Sequence, residues 1–328
     1  MKKIYTLLML LMLLMLSVLL VACGSSGSGS KKEDKKTEEK KDKSKKKSKK
    51  DKKSKDESSE DEDESKDKKK KKSSKTKEAK GEKIIDNEGY SMTVEGIDEN
   101  GVNGYTVKVL VENKSSDTNY VLTAQKVSVD GVQVEADFYS VVDAGEQNET
   151  EIHIKDLKKY GLSEYSDIEI EVLAYNSEDI TKKELPNETA HIYPLGKDKA
   201  GKFEYEIKAT DQVLVDNEYV KVVYVGSEED EDDGYSANIY IVNKTDTQIT
   251  VDATNVSING YMTDPLYMKS VDAGKSAFTT MNWLSSDLEE AQTDKSSISN
   301  IEIEFDIYDE EDSSREHFFN DKVTITPQ

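Results

Sequence analysis

The chain has 328 residues and a formal net charge of −22, with 68 acidic side chains against 46 basic ones. It contains one cysteine and three histidines. That excludes an intrachain disulfide and, beyond the single Cys23, any thiol chemistry or cysteine-based metal centre.

The N-terminus opens with Met1-Lys2-Lys3, followed by an almost wholly Leu, Met, Ile and Val run to Leu20 and then small residues. A basic start, an apolar run and a small-residue end form a secretory signal. The run is also close to the length of a membrane-spanning helix, about 20 residues, so an uncleaved anchor is the alternative. The cysteine favours the signal, because Leu20-Val21-Ala22-Cys23 resembles the lipobox of bacterial lipoproteins. That resemblance implies a diacylglyceryl group on the Cys23 thiol and cleavage after Ala22, giving a signal peptide of residues 1–22. It also implies anchoring to the extracytoplasmic side of the cell membrane through the lipid, since two acyl chains suffice for stable attachment.

Residues 23–81 read as a disordered tether. Gly24 to Ser30 is Gly/Ser-rich, and Lys31 to Lys80 holds 24 Lys and 15 Asp/Glu with almost no apolar residue. Such a segment cannot bury enough surface to offset the entropy of ordering it. As a random coil it would span about 40–45 Å. Its net charge of +9 suits a solvated spacer, or adhesion to anionic lipids or wall polymers at about 1 kcal/mol per lysine. No aromatics interleave with the lysines and the signal directs export, so nucleic acid is not expected as a partner.

The remaining residues carry −33 and repeat themselves. Asp86-Asn87-Glu88 recurs as Asp216-Asn217-Glu218, Gly104-Tyr105 as Gly234-Tyr235, and Asn113-Lys114-Ser115 as Asn243-Lys244-Thr245. Val127-Ser128-Val129-Asp130-Gly131 recurs as Val256-Ser257-Ile258-Asn259-Gly260, and Val142-Asp143-Ala144-Gly145 as Val271-Asp272-Ala273-Gly274. Ile168-Glu169-Ile170-Glu171 returns as Ile301-Glu302-Ile303-Glu304. One domain has been duplicated, at 82–196 and 201–328.

Within each copy the apolar residues alternate, as in Tyr105, Val107, Val109 and Val111 or Ile301, Ile303, Phe305 and Ile307. That period of two predicts half-buried antiparallel strands. Asp130-Gly131 and Asn259-Gly260 suit type I′ hairpins. Phe203, Tyr205 and Ile207 suggest an extra strand before the second copy. One short helix per copy is expected, with Ser286 and Glu289 as a capping box and Lys158 to Gly161 as a helix end. The predicted fold is all-β: two tandem immunoglobulin-like antiparallel β-sandwiches. The Asn-Lys-Ser/Thr turn, the Val-Ser-Val/Ile-Asp/Asn-Gly hairpin and the Val-Asp-Ala-Gly turn resemble immunoglobulin-like extracellular domains of unknown function on lipoproteins of low-GC Gram-positive bacteria. This resemblance implies an exposed sandwich and brings no catalytic residues.

No constellation outside the lipobox specifies chemistry. His153 and His191 fall on the outward side of their alternations, and His317 stands apart. Glu228 to Asp233 is the run most suited to a cation, but with Gly234 at position six of a calcium loop, position twelve is Tyr240 rather than Glu. A solvated loop is the better reading there, with weak calcium binding as the alternative. Asn113, Asn148, Asn187, Asn243 and Asn255 begin Asn-Xaa-Ser/Thr triplets that read as turns. Trp283 reads as core, and Tyr240 and Tyr308 as outward contact residues or cross-strand pairs. The sequence therefore predicts a non-enzymatic lipoprotein without cofactor or metal. Its sandwiches would bind an unknown protein or wall ligand or, alternatively, act as spacers in a membrane complex.

Overall fold

A computed structural model describes residues 79–179, 181, 185–230, 234–265, 267–312 and 317–327. The signal segment, Cys23, all but the last residues of the tether, and positions 231–233 of the acidic run lie outside them.

The first copy contains β1 (Lys83–Asp86), β2 (Tyr90–Gly101), β3 (Gly104–Asn113), β4 (Tyr120–Val129), β5 (Val132–Val134), β6 (Ala136–Asp137), β7 (Tyr139–Val142), β8 (Gln147–Ile154), β9 (Ile168–Asn176) and β10 (Glu188–Ile192). The second contains β11 (Gln212–Asp216), β12 (Val220–Asp230), β13 (Gly234–Asn243), β14 (Ile249–Ile258), β15 (Tyr261–Met262), β16 (Met268–Val271), β17 (Ser276–Trp283), β18 (Ile301–Asp309) and β19 (His317–Ile325). The strands correspond in order, save that β6 has no counterpart. Even the alternation of covered and open residues along β4 is repeated position by position along β14.

Each copy is a sandwich with its own core. In the first, the sheet β1-β2-β3-β8-β6 stands against β10-β9-β4-β5, with β7 also on β4. Met92, Val107, Ile152, Leu122, Ile170 and Ile192 fill the space between. In the second, β11-β12-β13-β17 stands against β15-β14-β18-β19, with β16 on β14. Ile239, Ile241, Trp283, Val251, Ile303 and Phe305 fill that core. Full burial of each such side chain contributes about 1.5–3 kcal/mol.

The residues that recur between copies are the ones that tie the chain to itself. The buried Asn113 side chain donates to the carbonyls of Thr118 and Val142 and accepts from the Ser115 N–H. Asn243 does the same with Thr247, Val271 and Thr245. Asn87 accepts from the N–H groups of Gly89 and Tyr90, and Asn217 from those of Tyr219 and Val220. Lys114 joins Asp86, and Lys244 joins Asp216 at 2.7 Å; each lysine holds its aspartate below the usual carboxylate range. Gly104 and Gly234 sit at φ +98° and +94°, where a Cβ would strike the carbonyls of Ile154 and Trp283. Both type I′ turns form, with φ of 49° and 81° at Asp130-Gly131 and 50° and 84° at Asn259-Gly260.

Three expectations are corrected. The first copy has a three-residue 3-10 turn, Lys158–Tyr160, in place of a helix, ended by left-handed Gly161. The helix of the second copy, Ser285–Glu290, is capped from Asp287, whose carboxylate accepts the Leu284 N–H at 2.9 Å, rather than by Ser286 and Glu289. Phe203, Tyr205 and Ile207 form no strand. Their segment is tied by the Phe203 N–H to the Asp130 carbonyl, and Phe203 and Tyr205 serve by packing instead.

Removing the turn anchor by Asn243→Ala should cost about 2–4 kcal/mol, because several buried backbone groups lose their partner; a lowered urea midpoint checks this. Asp130 provides a pH test. Burial raises its pKa despite hydrogen bonds from Ser166 and Asp167. Its contribution to stability is thus largest below the unfolded value of 3.8 and falls as pH rises through the folded pKa. The second copy places Asn259 there, accepting from Ser299 and Asn300 in the same way. Asp130→Asn should therefore preserve the fold and remove this loss between acidic and neutral pH, as read from urea midpoints across pH.

Candidate interaction surface

The two sandwiches share a sheet. The short edge strand β5 pairs in parallel with β17, Val132 opposite Ser276 and Gln133 opposite Ala277. This joins the second sheet of the first copy to the first sheet of the second, giving nine strands in all. The Ser276 N–H donates to the Gly131 carbonyl at 3.0 Å.

Side chains brace the ladder on both sides. Gln133 and Asp272 bond twice, and Lys126 reaches the Asp272 carboxylate at 2.6 Å. Lys275 lies 2.8 Å from Glu169 and 3.1 Å from the Ser128 hydroxyl. Lys159 meets Glu228 at 2.9 Å and holds that carboxyl below its usual range. Phe278 of β17 stacks on Tyr160 with centroids 3.7 Å apart and also meets Phe203, Tyr205 and Tyr240. Tyr205 donates to Asp211, and burial followed by that carboxylate pushes its phenol up to about 12.

Tyr240 does point away from its own core, as its alternation predicts, but it is not a free contact residue. It is 5% exposed, with Tyr205 of the linker and Phe278 of β17 packed against its ring. Tyr308 is half-buried. Trp283 is fully buried, with its indole N–H on the Thr263 hydroxyl at 3.1 Å.

A cleft of about 310 Å³ beside the junction is lined by Gln125, Lys126, Lys155, Lys159, Tyr160, Lys269 and Phe278, among others. Lys126, Lys155 and Lys159 are each matched by a carboxylate, so the cleft holds little unbalanced charge. A broader, open depression on the first copy gathers Asp137, Glu151 and His153. His153 Nδ1 lies 3.1 Å from the Thr106 hydroxyl and Nε2 lies 3.6 Å from Glu151. Thr106 is 4% exposed and donates to the Gly104 carbonyl, so it positions the imidazole and is not placed to attack a substrate. His191 and His317 pair with Asp167 and Asp306. Among the described residues no group of three His, Cys, Asp or Glu is arranged to hold a metal. In the acidic run, Glu228 is engaged by Lys159 and Asn238.

Large apolar side chains are exposed along the far edge of the second copy: Tyr261 and Met262 on β15, and Met268 on β16. On the first copy Tyr139, the counterpart of Met268, and Val141 are exposed on β7. No helix among the described residues is long and apolar enough to cross a membrane.

No protein-family model matches the chain, and no curated protein matches it. Solved structures with some likeness include the YadV chaperone, 13% identical over 67% of this chain and 91% of its own, with a TM-score of 0.20. A β-D-mannosidase from Dictyoglomus thermophilum is 11% identical over 68% of this chain and 22% of its own, at 0.21. Red sea bream transglutaminase is 11% identical over 68% and 28%, at 0.19. The chain thus spans about a quarter of the two enzymes, and scores this low carry no inference.

The junction can be tested by a double-mutant cycle. Tyr160→Ala and Phe278→Ala should show a coupling of about 0.5–1.5 kcal/mol in urea unfolding, as for other aromatic pairs. Two side chains that act independently would show none.

Proposed function

We propose that the protein is a lipid-anchored extracytoplasmic lipoprotein whose paired sandwiches bind a partner at the cell envelope without catalysis. The observation that carries the anchor is the sole cysteine, set at the end of an apolar run behind Leu20-Val21-Ala22. The lipid on Cys23 holds the chain to the membrane. The Lys-rich tether spaces the sandwiches from the surface and adheres to anionic lipids or wall polymers. The exposed Tyr261, Met262 and Met268, on the two short strands that flank the same edge of β14, support binding over mere spacing.

A second role, as a rigid spacer within a membrane complex, is favoured by the continuous nine-stranded sheet. An enzyme is the weakest alternative, because the hydroxyl beside His153 is buried.

Cys23→Ser should shift the protein from the membrane to the soluble fraction and remove the lipid mass. Unchanged retention with unchanged mass would defeat the anchor. Pull-down from envelope extract with the full chain should retain a partner that is lost when Tyr261 and Met262 are changed to Lys. Retention of nothing would favour the spacer.

A further inference from the structure

The two copies present the same edge, and only one of them is filled. In the first copy, Gln133, Ser128 and Glu169 form one cross-strand row over β5, β4 and β9. β17 lies along β5, and Lys275 closes the row on Ser128 and Glu169. In the second copy, Met262, Ser257 and Glu302 form the same row over β15, β14 and β18 in the same register. Ser257 is buried like Ser128, but Glu302 is exposed and no strand among the described residues lies along the outer side of β15. Tyr261, the counterpart of fully buried Val132, is 48% exposed.

We propose that the β15 edge is a docking site for an edge strand of a partner protein, added in parallel as β17 is added to β5. The partner strand would carry a basic residue to meet Ser257 and Glu302, then two small residues, then an aromatic, as in Lys275-Ser276-Ala277-Phe278. Backbone hydrogen bonds to an exposed edge supply affinity, and alternate side chains supply specificity.

A second copy of this chain does not fit. Its β8 is the counterpart of β17, and there Glu146-Gln147-Asn148-Glu149 replaces the basic–small–small–aromatic pattern. Glu146 would face Glu302, and like charges so placed repel. The divergence of β8 from β17 thus keeps the chain from polymerising head to tail.

This proposal rests on the binding function given above, but it can be tested without the natural partner. A full-length chain carrying E146K, Q147S, N148A and E149F presents a β17-like edge. Gln147 and Glu149 are exposed, and the graft removes the Asn148 bond to the buried Ser140 hydroxyl, so a urea midpoint close to wild type is established for it first. Immobilised, the grafted chain should capture wild-type chain at least tenfold more tightly than immobilised wild type does. Glu302→Lys in the flowing chain should abolish the gain. If the graft captures no better than wild type, or captures wild-type and E302K chains equally, the β15 edge is not such a site. Neither result touches the envelope pull-down, so failure of the edge and failure of the binding function are told apart.

Discussion

A sheet edge is a row of unsatisfied N–H and C=O groups, and something must answer it. Here the edge of β5 is answered by β17, from the other copy. The ladder is short, so its backbone bonds alone would not hold two sandwiches in register. The Gln133–Asp272 pair, the Lys126 and Lys275 ion pairs and the aromatic group around Phe278 supply the rest. The exposed ion pairs contribute little individually. The stacked rings and the half-buried Lys275–Glu169 contact carry more, because water is excluded from them.

The same chemistry separates what the duplication kept from what it changed. Positions held in both copies, Asn113 and Asn243 or Asp86 and Asp216, serve the fold of a single sandwich. Positions that differ, Glu146 and Lys275, Glu149 and Phe278, Leu110 and Tyr240, define the junction. The two sandwiches are alike inside and unlike outside, so the pairing between them is directional.

The strands, both hairpin turns and the duplication were legible in the sequence because they depend on local periodicity and on left-handed glycines at fixed places. Trp283, read as core beside the start of the helix, is fully buried. The junction was not legible, since Tyr160, Phe203, Tyr240 and Phe278 are far apart in the chain and each lies on the outer side of its own segment. Tyr240 shows the limit: its direction was correct, but its exposure depended on a neighbour that periodicity does not reveal. The cap was misplaced because Ser-Ser-Asp-Leu-Glu-Glu offers several acids within one turn, and only backbone geometry selects Asp287. The lysines of the junction gave one readable signal, a base in the second copy where the first has an acid, as at Lys275 and Glu146.

Joining β5 to β17 also has a consequence for the order of events at synthesis. The first sandwich has its own core and can collapse before the second exists, but β17 emerges only after most of the second copy has been made. Through that interval the β5 edge stands open, and open edges of incomplete chains are templates for misassembly. The strong negative charge of residues 81–328 acts in the same interval, keeping nascent chains from meeting edge to edge until the native strand arrives. Acidity beyond what the ion pairs of the finished fold engage thus guards the chain on its way there.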